Sequence, residues 1–226
     1  MMFSRQFAIA ICGLVTVSMF ANDAMAQRGG GRGQATRARY ALATLPEVQT
    51  ELKMNDEQKK LATELLAKQR EKMASFGGGG GGGDFAAMQA EMAKLNTELD
   101  GQLESKLDDA QKKRLNGLLA QVNGAAALLD ASIAKAMQLN EEQIGKLKAA
   151  NESNRSARRE AMAGFQDMSQ EERQAAMTKL TEKENGALLA TLTEEQKKKF
   201  EELKGTPLKI DQTPLRGGRG GGRGQQ

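Results

Sequence analysis

Apolar residues recur along the middle of the chain at intervals of three and four. Phe85, Met88, Met92, Leu95, Leu99, Leu103 and Leu107 make one unbroken stripe; Leu61, Leu65, Gln69, Met73 and Phe76 make a second, and Leu115, Leu118, Leu119 and Val122 a third. This is the period of a helix that buries one face, and no segment alternates residue by residue as a half-buried strand does. The pattern predicts an all-α fold made of elongated helical hairpins. The run of seven glycines at Gly77–Gly83 interrupts two of these helices, because so much backbone freedom cannot be frozen into a helix without cost. It reads as a flexible hairpin connection. No Lys, Ser or Thr comes after it in the spacing of a phosphate-cradling loop.

Helix starts are written four times in nearly the same words: "MNDEQKK" from Met54, "LDDAQKK" from Leu107, "LNEEQIG" from Leu139 and "LTEEQKK" from Leu192. In each, a short polar residue (Asn55, Asp108, Asn140, Thr193) stands three positions before a glutamine (Gln58, Gln111, Gln143, Gln196). This is the capping box, in which the first side chain accepts from the N3 amide and the glutamine reaches back to the cap amide. Ser169 with Glu172 is a fifth, variant start. The boxes come in pairs 53 residues apart, and sliding the chain by 85 lays "MAKLNTELDGQLESKLDDAQKKRLNGL" (92–118) on "MTKLTEKENGALLATLTEEQKKKFEEL" (177–203). Upstream, "REKMASF" (70–76) matches "REAMAGF" (159–165) at an offset of 89, about one extra helical turn in the second copy. The chain is therefore a tandem duplication, with one half at 41–122 and the other at 123–204.

Composition changes the picture at the two ends. Residues 1–26 carry Arg5, an apolar run from Phe7 to Phe20 and small residues at Ala24 and Ala26. That is the layout of a secretory signal cleaved after Ala26, and the run is shorter than the roughly 20 residues a membrane span needs. The only cysteine, Cys12, leaves with it. The segments 27–40 and 205–226 are rich in Gly and Arg and offer almost nothing to bury, so both read as disordered tails. The formal net charge of +4 is a property of these tails, because the middle between them is net acidic. Histidine and tryptophan are absent, which removes the commonest general base and the usual zinc ligands. The carboxylate pairs at Asp108 and Asp109, Glu141 and Glu142, and Glu194 and Glu195 sit where helices begin and complement the helix dipole. A non-enzymatic protein with no cofactor and no metal is expected.

Each half, with its paired boxes, resembles the Spy/CpxP family of periplasmic stress proteins, known for paired LTxxQ motifs. "LTEEQKKKF" (192–200) and "LNEEQIGKL" (139–147) carry the likeness most closely, "MNDEQKKLA" and "LDDAQKKRL" more loosely. The resemblance implies an all-α cradle, two subunits in the family and two fused halves here, that holds unfolded envelope proteins without ATP. The chain would then be a pseudo-two-fold monomer. Candidates for the client face lie on the long helices: Lys68, Arg70, Lys72, Met73 and Phe76 in the first half, and Arg155, Arg158, Arg159, Met162 and Phe165 in the second. The three arginines of the second set have no obvious acidic partner on their own turn. Basic groups attract acidic chains and flexible methionines adapt to varied apolar surfaces, while the plainer reading makes Met and Phe core and Arg a solvated face. A second functional reading is a polyanion-binding or scaffolding protein acting through its tails, where Arg28, Arg32, Arg37, Arg39, Arg216, Arg219 and Arg223 would engage acidic polysaccharide, nucleic acid or lipid headgroups. Such binding would be strongly salt-dependent.

Overall fold

The structure, a computed structural model, describes residues 38–77 and 85–215. Among these residues there are helices and no strands. The first half contributes α1 (Arg39–Leu42), α2 (Pro46–Glu51), α3 (Asp56–Gly77), α4 (Phe85–Glu104) and α5 (Asp109–Asn123). A 3-10 helix at Gly124–Leu129 opens the second half, followed by α6 (Ala131–Ala136), α7 (Glu141–Ala163), a 3-10 turn at Gly164–Asp167, α8 (Gln170–Leu189) and α9 (Glu194–Lys204). Every element start in the first half recurs 85 positions later, so the duplication read from the sequence extends through the whole fold. The extra turn is visible too: Phe76 is 20 residues from the start of α3, and Phe165 is 24 from the start of α7.

The four capping boxes form with both of their hydrogen bonds, at Asn55, Asp108, Asn140 and Thr193, and the Ser169 box forms as well. Asp130 is a cap that sequence reading did not single out; its carboxylate accepts from the amides of Ser132 and Ile133 to start α6. The stops of α2 and α6 are equally matched. Lys53 and Gln138 both adopt positive φ, 50° and 55°. The amide of the next residue, Met54 or Leu139, closes back to Gln49 O or Ala134 O at 3.0 Å, which is the Schellman arrangement. A lysine and a glutamine in the left-handed region carry strain that glycine would not.

The core gathers where the short helices meet the bases of the long ones. Tyr40, Leu42, Leu45 and Val48 from α1 and α2 join Leu65, Leu99 and Leu103. They are continuous with Leu115, Leu118 and Leu119 of α5 and with Leu128, Ile133, Met137 and Phe200 of the second half. The main contact between halves is α5 on α9. Leu115 and Phe200, repeat equivalents of each other, are both fully buried, so equivalent helices meet as they do in an isologous interface. Gly117 permits this approach, because a Cβ there would drive into the Leu203 carbonyl.

Two boundaries differ from the sequence reading. The segment 27–40 is not all tail: Arg39 and Tyr40, 3% and 2% exposed, begin the folded unit. The segment 205–226 is not all tail either, because 205–215 lies on the first half with Leu208, Ile210 and Leu215 partly buried against the core. In both cases a few apolar or buried residues are diluted by glycine-rich neighbours, and average composition hides them. The glycine connection, 78–84, and the segments 1–37 and 216–226 lie outside the described residues. No helix among the described residues is long and apolar enough to cross a membrane.

Candidate functional site

The paired motifs meet. Gln58 and Gln111 exchange amide hydrogen bonds, Gln58 Nε2 to Gln111 Oε1 at 2.9 Å and Gln111 Nε2 to Gln58 Oε1 at 3.2 Å. Each amide also donates to a backbone carbonyl beside the opposite box, Gln58 to Lys106 O at 2.7 Å and Gln111 to Leu52 O at 2.9 Å. The second half repeats the pair with Gln143 and Gln196, at 2.6 and 3.2 Å. Each glutamine thus closes its own box and grips the partner box, so the recurring 53-residue interval is the length of chain between two halves of a clasp. The clasp ties the start of α3 to that of α5, and the start of α7 to that of α9. These glutamines are framework, and with their polar atoms already engaged they offer little to a ligand.

The junction between the halves is charged. Arg39 sends a fork to Asp130, Nη1 to Oδ2 at 2.7 Å and Nη2 to Oδ1 at 2.5 Å. It also lies 2.9 Å from Glu104 and 3.6 Å from Asp100, and donates to Asn116 Oδ1 at 2.9 Å. The Asp100 carboxylate accepts from the Tyr40 amide at 3.0 Å, and the Tyr40 hydroxyl donates to Asn96 at 2.6 Å. One guanidinium faces three carboxylates. Burial pushes the Asp100 carboxyl up to about 6; the Tyr40 amide and Arg39 oppose that shift, and the charges of Asp130 and Glu104 add to it. For Asp130, burial works upward too, but the bond to Arg39 and its charge win and hold the group below the usual carboxylate range. Burial also raises the Tyr40 hydroxyl. Arg39 therefore belongs to the interior and is not a tail charge awaiting a polyanion. Arg28, Arg32, Arg37, Arg216, Arg219 and Arg223 lie outside the described residues.

The client-face candidates divide between two hairpins, since α3 pairs with α4 and α7 with α8. On α3, Lys68 and Arg70 are exposed, Lys72 stands 3.7 Å from Glu91 of α4, and Met73 is 45% exposed; the Phe76 side chain lies outside the described set. On α7, Arg155 and Arg159 are exposed, and Arg159 reaches Ser156 Oγ at 3.2 Å and Glu152 at 3.7 Å; Met162 and Phe165 are half-buried. Arg158 corrects the reading of three unpartnered arginines. It is half-buried and forks onto Glu184, with Nε to Oε1 at 2.8 Å, and that hydrogen bond raises its pKa above the ordinary arginine value. The partner comes from α8, 26 residues away in sequence, where no inspection of one helical turn could find it.

Beyond the core both hairpins thin out. Between Leu65 and Leu99, and again between Leu147 and Leu188, no described side chain is fully buried, although these stretches carry Met88, Met92, Leu95, Met177 and Leu180 beside Met73, Met162 and Phe165. Elsewhere, an open pocket of about 230 Å³ lies between α6 and α9, lined by Met137, Gln138, Thr193, Glu195, Gln196 and Lys199. Among the described residues, no group of three or more His, Cys, Asp or Glu is placed to hold a metal ion. Compared with known proteins, the chain matches no family model, no curated protein and no solved structure.

Proposed function

We propose that the protein is an ATP-independent holding protein of the exported compartment, periplasmic or secreted, which keeps partly folded chains from aggregating on the outer reaches of its two helical hairpins. The observation that carries this reading is the absence of any fully buried described side chain between Leu65 and Leu99, where α4 keeps a regular apolar stripe, or between Leu147 and Leu188, where Met162, Phe165, Met177 and Leu180 are the larger apolar residues. Two helices form a single layer, and a single layer cannot enclose its own apolar face. Methionine dominates these stretches, and its unbranched, polarisable side chain adapts to surfaces of varied shape. Exposed Lys68, Arg70, Arg155 and Arg159 add attraction for acidic segments. Since one chain carries both halves, a single molecule presents two such surfaces.

The test is suppression of aggregation of a reduced or heat-unfolded reporter by the mature chain and its variants. Replacing Met73, Met162 and Phe165 together by Ser should raise the amount needed for half-suppression severalfold while circular dichroism keeps its helical form. Arg155→Gln with Arg159→Gln should weaken suppression in low salt. Arg158→Gln should lower the melting temperature, by about 1–2 kcal/mol of stability from a lost charge-assisted bond, and leave suppression per folded molecule unchanged. Full suppression by the Met73, Met162, Phe165 variant would overturn the reading.

A further inference from the structure

The duplicated framework is complete at Lys204: five elements in the first half are answered by five in the second, and the last of them, α9, ends there. The segment beyond it, "GTPLKIDQTPL" (205–215), is an addition, and it lies on the first half as a ligand would. Gly205 turns the chain out of α9 with φ of 63°. From there to Gln212 the backbone has no helix or strand of its own, so its polar groups depend on neighbours.

Those neighbours are two side chains of α5. Gln121 Nε2 donates to the carbonyls of Lys204 at 2.6 Å and Thr206 at 2.9 Å, and Gln121 Oε1 accepts from the Leu208 amide at 3.0 Å. Arg114 donates to the same two carbonyls, at 3.1 and 2.8 Å, and is braced at 2.7 Å by Glu51 of α2. Pro207 lies between the two gripped residues and has no amide to satisfy. Further along, Arg70 of α3 reaches the Pro214 carbonyl at 3.4 Å. The tripeptide Thr-Pro-Leu thus occurs at both ends of the segment, 206–208 and 213–215, and each copy has a carbonyl held by the first half. Leu208, Ile210 and Leu215 lie partly buried on the core. The grip falls on backbone atoms that any extended chain possesses, and selectivity comes from proline spacing and aliphatic side chains, which is how extended peptides are recognised.

We propose that the α5 face of the first half, with Arg114, Gln121 and Arg70 as its polar contacts, is a binding site for an extended peptide of Thr-Pro-Leu type, occupied in cis by residues 205–215 and open to such a segment of another protein when they leave. Apart from Arg70, which belongs to α3, the site lies away from the outer hairpin surfaces, and it does not depend on the holding activity. In the second half, Lys199 stands where the first has Arg114, and the counterpart of Gln121 is Thr206, itself part of the bound segment. The site therefore exists once per chain. Tethering places the internal segment at an effective concentration of roughly millimolar, so a free peptide competes poorly with it.

The experiment uses the full mature chain and a fluorescein-labelled peptide of sequence GTPLKIDQTPL, with binding read by anisotropy. In a strap-released variant, Leu208→Asp with Ile210→Asp and Leu215→Asp, the peptide should bind at least about tenfold tighter than it binds the intact chain. Adding Gln121→Ala should abolish the gain, and a scrambled peptide should not bind. Equal binding to intact and released chains, no binding to a released chain that keeps its helicity, or equal binding of the scrambled peptide would each overturn the proposal. If the released variant loses helicity, Gln121→Ala in the otherwise intact chain still decides. Hydrogen exchange at the Leu208 amide should then accelerate at least about tenfold while α5 stays protected, and unchanged protection would overturn the site as drawn.

Discussion

At the position where each half begins, the two copies solve one problem with different chemistry. In the first half the backbone amide of Tyr40 donates to the Asp100 carboxylate; 85 residues on, the amide of Ala125 donates to the side-chain oxygen of Asn185 at 3.1 Å. The second half manages with a neutral acceptor, so the fold requires an acceptor there and not a charge. The carboxylate of the first half comes with a consequence: Arg39 is buried beside it, and that arginine reaches across to Asp130 of the second half. The counterpart of Arg39 is Gly124, with φ of 58° and the Asn185 amide about 3.0 Å from where a Cβ would stand. An ionic joint between the halves has been built on one copy only.

The largest expected effect comes from removing that joint. Arg39→Ala leaves three carboxylates facing each other in a partly buried site, and the loss should be about 3–5 kcal/mol, read by chemical denaturation. A loss under about 1 kcal/mol would show that the joint contributes little beyond what Gly124 does in the other copy.

Asp100→Asn installs the second half's residue and isolates the pH term. With its folded pKa near 6 and an ordinary unfolded value near 4, Asp100 binds its proton more tightly in the native state. Its contribution is fully present below the unfolded pKa and is lost as pH rises through about 6. Native stability should fall by on the order of 2 kcal/mol across this window, and Asp100→Asn should flatten the difference. Arg39, Asp130, Glu104 and the Tyr40 hydroxyl surround this group. Asp130, held low by Arg39, works in the opposite sense: its contribution is present above its unfolded value near 4 and is lost as pH falls below it, so the two effects separate on the pH axis.

Smaller effects compare the clasps. A double-mutant cycle on Gln58 and Gln111 should give a coupling of about 1 kcal/mol. The cycle on Gln143 and Gln196 should give less, because Gln58 is 7% exposed while Gln143 is more open to water. The smallest effect concerns the matched turns: Lys53→Gly and Gln138→Gly should each stabilise by about 0.5 kcal/mol, because glycine relieves the left-handed strain and loses part of that gain to backbone entropy. Thermal melts of the single and double variants would check both size and additivity.

The long helices, their starts and the duplication were legible in the sequence, because each depends on residues within a turn of one another or on a repeat that can be laid on itself, whereas the short α1 and the Asp130 cap of α6 were not. The stripe along α4 and into Leu107 was legible as a stripe, yet among its described side chains only Leu99, Leu103 and Leu107 are buried. Periodicity reports which residues share a face, not how much protein lies opposite them. The capping boxes were read correctly one by one. Their union into Gln58–Gln111 and Gln143–Gln196 pairs was signalled by the equal 53-residue intervals, but an interval names no contact.

Sequence by itself determined that this chain is helical, where its long helices begin, and that one half is a copy of the other, since local hydrogen-bonding geometry and the 3.6-residue period act over a few residues. Tertiary structure alone decided that Arg39 is interior and not a tail charge, that Arg158 is engaged by Glu184, and that residues 205–215 lie on the first half. Each of those outcomes joins groups far apart along the chain, and burial there depends on what the rest of the fold brings opposite. Charge and composition, read along a line, do not contain that information.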